Sequence, residues 1–203
     1  VTARLRKRAF DLLGAGTGLL LLWPLFALMA LAIRLDSPGP VFYRQVRIGL
    51  HGAPFRIHKF RTMRFDPQDT GPQLTVGADA RITRVGGWLR RTKLDELAQL
   101  IDVLQGHMSL VGPRPEVPRY VAMYPPDLRD AVLSVRPGIT DPASLAFLDE
   151  GALLARASDP EREYADVLLP HKLRLAAQYA AQSSLRSDLR ILWRTFWLLM
   201  GRR

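Results

Sequence analysis

Residues Leu12 to Ile33 form an uncharged, strongly apolar run of 22 residues with Pro24 near its centre. As an unbroken helix such a run measures about 33 Å, enough to cross a hydrocarbon core of about 30 Å. Two features argue against a simple span. Pro24 removes a backbone hydrogen bond in mid-helix, which bends or breaks it. Arg4, Arg6, Lys7 and Arg8 precede the run and Arg34 follows it, so basic flanks assign both ends to the cytoplasmic side. The expected segment enters the membrane, turns near Trp23 and Pro24, and returns. A plain transmembrane helix is the stronger competitor. A cleavable signal peptide is weaker, given the length of the run and the lack of a convincing small-residue cleavage site. Lys7, Arg8 and Asp11 share a helical face at spacings of three and four, which lets that face pair its own charges at the interface.

The rest of the chain must account for its charge. Twenty-nine Lys and Arg against nineteen Asp and Glu leave a net charge of +10 and a pI near 10.8, so the partner is anionic. Nucleic acid, an anionic membrane surface and a phosphorylated small molecule all meet that demand. No basic and aromatic motif stands apart from the apolar ends, which argues against nucleic acid. With no cysteine, neither a disulfide framework nor a thiolate zinc site can be drawn, and the four histidines lack metal-ligand spacing. A metal would have to bind oxygen ligands.

Turn chemistry at Asp36 to Pro40, Asp-Ser-Pro-Gly-Pro, ends the membrane segment. The expected organisation is an anchor over residues 1–36 and one domain over 37–203. Val41 to Ile48 and Pro54 to Phe60 carry β-branched and aromatic residues around Gly49 to Gly52 and read as a hairpin. Residues 66–78 are too polar and irregular for an element and read as a mobile loop. Short helices are expected over Val85–Arg91, Leu94–Leu104, Glu116–Met123 and Asp127–Ser134, and a longer one over Pro160–Ala180, interrupted at Pro170. The last helix, Leu185–Met200, sets Arg186, Arg190 and Arg194 beside Leu189, Trp193, Phe196 and Trp197. It either lies in the headgroup plane or packs on the domain. The fold class is α+β, mainly helical with a small β-hairpin, a re-entrant N-terminal helix broken at Pro24, and interfacial amphipathic helices.

Thr92 to Leu104 holds the candidate chemistry, with apolar residues at 94, 97, 100, 101 and 104 in a helical period and Asp95, Gln99 and Asp102 on the polar face. The bland explanation is a capping pair, Thr92 as N-cap with Asp95 three residues on. The functional alternative is that Asp95 and Glu96 lie in a first helical turn, where free N–H groups favour an ionised carboxylate. Arg90, Arg91, Lys59, Arg61, Arg114 and Arg136 cluster near turn-forming Gly and Pro residues. Guanidinium groups grip phosphate oxygens bidentately, and a diphosphate commonly brings Mg²⁺ held by one or two carboxylates.

Six motifs occur in order: Lys-Arg-Ala-Phe-Asp at 7–11, Ser-Pro-Gly-Pro-Val-Phe-Tyr-Arg-Gln at 37–45, Lys-Phe-Arg-Thr-Met at 59–63, Leu-Asp-Glu-Leu at 94–97, Gly-His-Met-Ser-Leu-Val-Gly-Pro-Arg-Pro at 106–115, and Arg-Pro-Gly-Ile-Thr at 136–140. Together they resemble the bacterial sugar transferases, the monotopic phosphoglycosyl transferases that act on polyprenyl phosphate. The resemblance implies a two-step reaction at the cytoplasmic face of the bacterial inner membrane, the first membrane step of glycoconjugate or exopolysaccharide assembly. The aspartate of an Asp-Glu dyad attacks the β-phosphorus of a UDP-sugar, UMP leaves, and polyprenyl (undecaprenyl) phosphate then takes the phosphosugar from the enzyme. By position, Asp95 is the nucleophile and Glu96 the Mg²⁺ ligand, with Asp95 beside it. Arg90, Arg114 and Arg136 bind phosphate, with Lys59 and Arg61 as neighbours. Lys7, Arg8, Asp11, Trp23 and Pro24 mark the anchor. The implied partners are UDP-sugar, polyprenyl phosphate and membrane lipids, without nucleic acid; a homodimer is left open.

Two positions depart from the family pattern. Trp23 precedes the proline where serine is common, and Asp141-Pro142 follows Arg-Pro-Gly-Ile-Thr where glycine is common. The identity of the sugar is therefore not carried over. The alternative from another class is a membrane-tethered basic scaffold for anionic lipids.

Overall fold

A computed structural model describes residues 2–66, 79–148 and 150–201. The loop expected over 66–78 lies outside them from residue 67 onward. Among the described residues the chain is mostly helical with two small sheets. Helix α1, Thr2–Asp36, runs through Pro24 as one element, so the expected break at Pro24 is not found. A proline ring deletes one intrahelical bond, and the turns on either side carry the helix across that loss.

Strands β1, Phe42–Ile48, and β2, Pro54–Phe60, form the expected antiparallel hairpin, with Phe42 opposite Phe60 and Ile48 opposite Pro54. Helix α2, Arg84–Thr92, a 3-10 turn over Leu94–Ala98 and helix α3, Gln99–Gln105, follow. Next come β3, Ser109–Val111, α4, Pro118–Val121, α5, Pro126–Leu133, and β4, Gly138–Thr140. The parallel pair β3–β4 was not anticipated, because three residues are too few to show alternation. It needs glycine at two facing points: a Cβ on Gly138 would lie 2.0 Å from the Gly112 nitrogen, and one on Gly112 2.3 Å from the Arg136 carbonyl oxygen.

Helices α6, Pro142–Ala146, α7, Glu150–Leu154, and α8, Pro160–Arg162, lead into a π-helical stretch over Glu163–Leu168 and then α9, Leu169–Gln182, and α10, Leu185–Gly201. The expected interruption at Pro170 is displaced. Pro170 sits in the first turn of α9, where its missing N–H costs least, and the irregular turn falls just before it.

Helix α1 lies along the domain at both ends and in its middle. Near the N-terminus the buried Asp11 carboxylate accepts from Lys7 (3.2 Å), Ser109 Oγ (3.0 Å) and Leu110 N (3.1 Å), and Lys7 also pairs with Asp188 of α10 at 2.7 Å. Lys7 and Asp11 thus pair on one helical face, as their spacing foretold. Midway, Ala15, Leu19, Leu22 and Phe26 pack against Phe55, Ile57, Leu100 and Met108. At the C-terminus Met29 and Ile33 pack with Phe60 and Leu89, and Asp36 accepts from Val85 N at 2.9 Å. The opposite face is bare: Leu13, Leu20, Leu21, Trp23 and Leu28 are each 64–73% exposed. Helix α10 is divided in the same way. Ile191 is buried and Leu192 packs beside it, while Leu189, Trp193, Phe196 and Trp197 remain exposed.

Candidate active site

Local geometry places the acidic pair. Helix α2 begins at Thr83, whose side chain accepts from Gly86 N, and ends at Lys93 in the left-handed region (φ 57°, ψ 15°). That conformation costs a non-glycine residue roughly 1–2 kcal/mol and reverses the chain into the 3-10 turn. Thr92 is not an N-cap. It closes α2, and its hydroxyl donates back to the Trp88 and Leu89 carbonyls at 2.9 and 3.1 Å. The capping-pair explanation of Asp95 therefore fails, since the residue it requires at the start of the turn is Lys93, which offers no side-chain cap.

Asp95 is 2% exposed and lies in the 3-10 turn. Its Oδ2 is 3.1 Å from Lys59 Nζ, and its Oδ1 is buried with no hydrogen-bond partner. Lys59 also reaches Glu96 Oε1 at 3.1 Å, so one ammonium bridges both carboxylates. Arg114 meets Glu96 with both guanidinium nitrogens, at 2.6 and 3.2 Å, in the bidentate form that strengthens such pairs. Burial raises the Glu96 pKa, but the charges of Arg114 and Lys59 outweigh it and hold the group well below the usual carboxylate range. Glu96 in turn holds the Arg114 guanidinium firmly protonated. Arg90 is oriented by a bond from its Nε to Thr62 Oγ1 at 2.8 Å.

The strand that carries Lys59 is braced at the residue before it. The buried Asp102 of α3 accepts from the His58 backbone N at 2.8 Å and from its ring Nδ1 at 2.7 Å. With Nδ1 donating, Nε2 is left to accept from Arg44 at 2.6 Å. Asp102, which sequence periodicity assigned to the polar face of a helix, is a buried brace that ties β2 to α3.

Lys59, Arg90, Lys93, Asp95, Glu96 and Arg114 all line one cavity of about 600 Å³. Arg61 and Arg136 are not brought there. Arg61 is buried at the end of α1, donating to the Ser37 carbonyl at 2.7 Å and to that of Pro38. Arg136 donates from Nε to the Gly106 carbonyl at 2.9 Å, beyond the end of α3 remote from Asp95. Nearby Arg8 reaches the carbonyls of Leu104 and Met108 at 3.3 and 3.5 Å. Each of these guanidinium groups satisfies carbonyls that helix ends leave open. Sequence reasoning missed Lys93, and also Glu116, Glu150, Tyr164 and Lys172, which line the same cavity. Only Glu116 had a signal, its place directly after Gly-Pro-Arg-Pro.

The oxygen donors suit a hard cation. Asp95 Oδ1 has open lone pairs beside Glu96, and Mg²⁺ takes one or two carboxylates with substrate oxygens completing the shell. Among the described residues no three metal-ligating side chains converge, and substrate oxygens and water would complete the shell.

An apolar helix long enough to cross a membrane lies along a domain whose cavity sets a carboxylate pair among cationic side chains. The chain belongs to the bacterial sugar transferase family, whose model matches residues 2–202. It is 39% identical over 208 residues to the UDP-glucose:undecaprenyl-phosphate glucose-1-phosphate transferase of Caulobacter vibrioides, covering 96% of this chain and 70% of that one. It is 45% identical over 139 residues to the enzyme of the same name from Escherichia coli strain K12, covering 68% of this chain and 30% of that one. With the exopolysaccharide production protein PSS of Rhizobium leguminosarum bv. phaseoli it shares 52% identity over 109 residues, 53% of this chain and 54% of that one. The chain thus spans from under a third to somewhat more than two thirds of these relatives.

Proposed function

We propose that the chain transfers a sugar-1-phosphate from a UDP-sugar to undecaprenyl phosphate, with Asp95 as covalent nucleophile. The observation that carries this reading is the buried Asp95 carboxylate, ion-paired through Oδ2 to Lys59 and open at Oδ1, in a cavity lined with cations. Its carboxylate attacks the β-phosphorus, the bond from phosphorus to the bridging oxygen breaks, and UMP departs with that oxygen. An oxygen of the lipid phosphate then attacks the same phosphorus, and the Asp95 carboxylate is restored, so two displacements replace one. Lys59, Arg90 and Arg114 would hold the diphosphate oxygens and offset the charge developing on them. Asp95 and Glu96 would hold Mg²⁺, which when bound further neutralises that charge. Binding it at Glu96 requires an oxygen now engaged by Arg114 or Lys59.

Intact mass of the purified protein, mixed with UDP-sugar and Mg²⁺ but no lipid acceptor, tests the reading. UDP-glucose, the donor in the names of two relatives, comes first. The mass should rise by one hexose phosphate as UMP appears. An unchanged mass alongside UMP release in the presence of lipid would point to direct transfer instead.

For the anchor, we propose that both ends of α1 lie at the cytoplasmic face of the inner membrane. A 35-residue helix measures about 53 Å, yet backbone N–H groups of the domain hold its Asp11 and Asp36 carboxylates toward either end and apolar side chains pack along its middle. A full span would draw the site's charges into hydrocarbon, which is costly. The bare faces of α1 and α10, with Trp23, Trp193 and Trp197 among them, supply the apolar surface that lies in the leaflet. The chain has no cysteine, so single cysteines at Thr2 and Pro40, both exposed, report sidedness cleanly. Thr2→Cys and Pro40→Cys should both resist an impermeant thiol reagent added outside intact cells. Labelling of one alone would establish a span.

A further inference from the structure

One wall of the cavity that holds Asp95 carries a second polar group, remote in sequence from the acidic pair. Glu116 follows β3, Glu150 opens α7, Tyr164 lies in the π-helical stretch and Lys172 in α9, and all four line the cavity. Tyr164 donates its hydroxyl proton to Glu116 at 2.5 Å. Lys172 donates to Glu150 at 3.1 Å and to the Tyr164 oxygen at 3.2 Å, and stands 3.8 Å from Glu116. Burial and the Glu116 carboxylate drive the Tyr164 pKa far upward, so its phenol stays protonated and donating. Two further polar atoms on this wall, Arg47 Nε and the Tyr120 hydroxyl, are buried without partners.

We propose that this wall is the subsite that reads the hydroxyl groups of the transferred hexose. The inference rests on the transferase reading above. Three observations support it. First, the wall retains unused bonding capacity. A carboxylate offers about four acceptor positions, and Glu150 accepts here from Lys172, leaving room for ligand hydroxyls. Second, the chemistry suits a polyol. A hexose presents several O–H donors to two carboxylates, whereas the pairing edge of uracil presents one donor between two acceptors. Third, the wall adjoins Arg114, which the transferase reading sets on the diphosphate. Arg114, which grips Glu96, is two residues from Glu116, and the charges of Glu116 and Glu150 help to keep it protonated. In a UDP-sugar the hexose is bonded directly to the phosphate that Asp95 attacks. A π-helical stretch is uncommon and often marks a functional site, and here it carries Tyr164.

The test uses the full chain, with UDP-glucose and its C4 epimer UDP-galactose as donors and UDP as a competitive inhibitor that lacks the hexose. Glu150→Gln, 28% exposed at the side chain and the outermost member, and Tyr164→Phe, which keeps the ring, should each raise KM for the better donor about tenfold or more. Each should also change the ratio of kcat/KM between the epimers and leave inhibition by UDP unaltered. Should UDP inhibition weaken in step with donor binding, the wall holds the nucleotide and the proposal fails. If the melting temperature falls in both variants while KM and the epimer ratio stay fixed, the group is a structural brace and the proposal fails likewise. If Tyr164→Phe does not fold, Glu150→Gln alone decides. A wild-type chain that releases no UMP from any UDP-hexose would overturn the transferase reading and this one with it.

Discussion

Asp95→Asn is expected to abolish the phosphosugar adduct and to lower UMP release by about 10³-fold or more, while the fold survives. The amide nitrogen and oxygen occupy the same space as the carboxylate, so packing in the 3-10 turn is preserved. What is lost is the nucleophile and the 3.1 Å ion pair with Lys59, and Lys59 keeps Glu96 as partner at the same distance. Intact mass and a thermal melt on one sample check both halves. A basic scaffold for anionic lipids would lose nothing but a weak local contact. An Asp95→Asn variant that still gains a hexose phosphate would remove Asp95 from the chemistry.

Arg114→Met should act on both turnover and stability. Without its bidentate clamp UMP release should fall about 10²-fold, in the range seen when one preorganised charge donor is removed. Stability should fall by about 2 kcal/mol. That is below the roughly 3–5 kcal/mol for breaking a buried pair, because Arg114 is 35% exposed and Lys59 remains beside Glu96. The pH dependence gives a second readout. The folded-state pKa of Glu96 lies well below its ordinary 4.5, so its stabilising contribution is complete above about pH 4.5 and is lost as the pH falls toward the folded value. Arg114→Met removes the larger attraction and should shrink the acid-labile part of the stability measured by unfolding below pH 5. Adding Glu96→Gln should recover stability, since no charge is then left unpaired, while activity stays low. A double variant less stable than the single one would show that Glu96 was not the stranded group.

The hairpin, the long apolar helix and the helices α2 to α5 and α8 to α10 were legible because each rests on a local pattern: alternation, a 3.6-residue period or a Pro and Gly boundary. Helices α6 and α7 were not read, and the one helix expected over Leu94–Leu104 is a 3-10 turn followed by α3. The acidic pair was legible too, though for a reason the structure amends. Asp95 is buried in a 3-10 turn entered through a left-handed lysine, not set in the first turn of an α-helix capped by Thr92. Arginine count was a poor guide to the site. Of five proposed phosphate binders, Lys59, Arg90 and Arg114 reach the cavity, whereas Arg61 and Arg136 are spent on carbonyls near helix ends.

From its residues alone the chain declared its long apolar N-terminal segment, its basic character, its want of cysteine and the carboxylate pair at 95 and 96. These depend on composition and on neighbours within a few positions, which any reader of the sequence can see. Tertiary structure alone decided which cations face that pair, that α1 lies against the domain along its length, and that Glu116, Glu150, Tyr164 and Lys172 share the cavity. Those facts depend on segments far apart in the chain packing together. The free energy that brings them there comes from apolar burial, which carries no record in the sequence of the polar groups it happens to juxtapose.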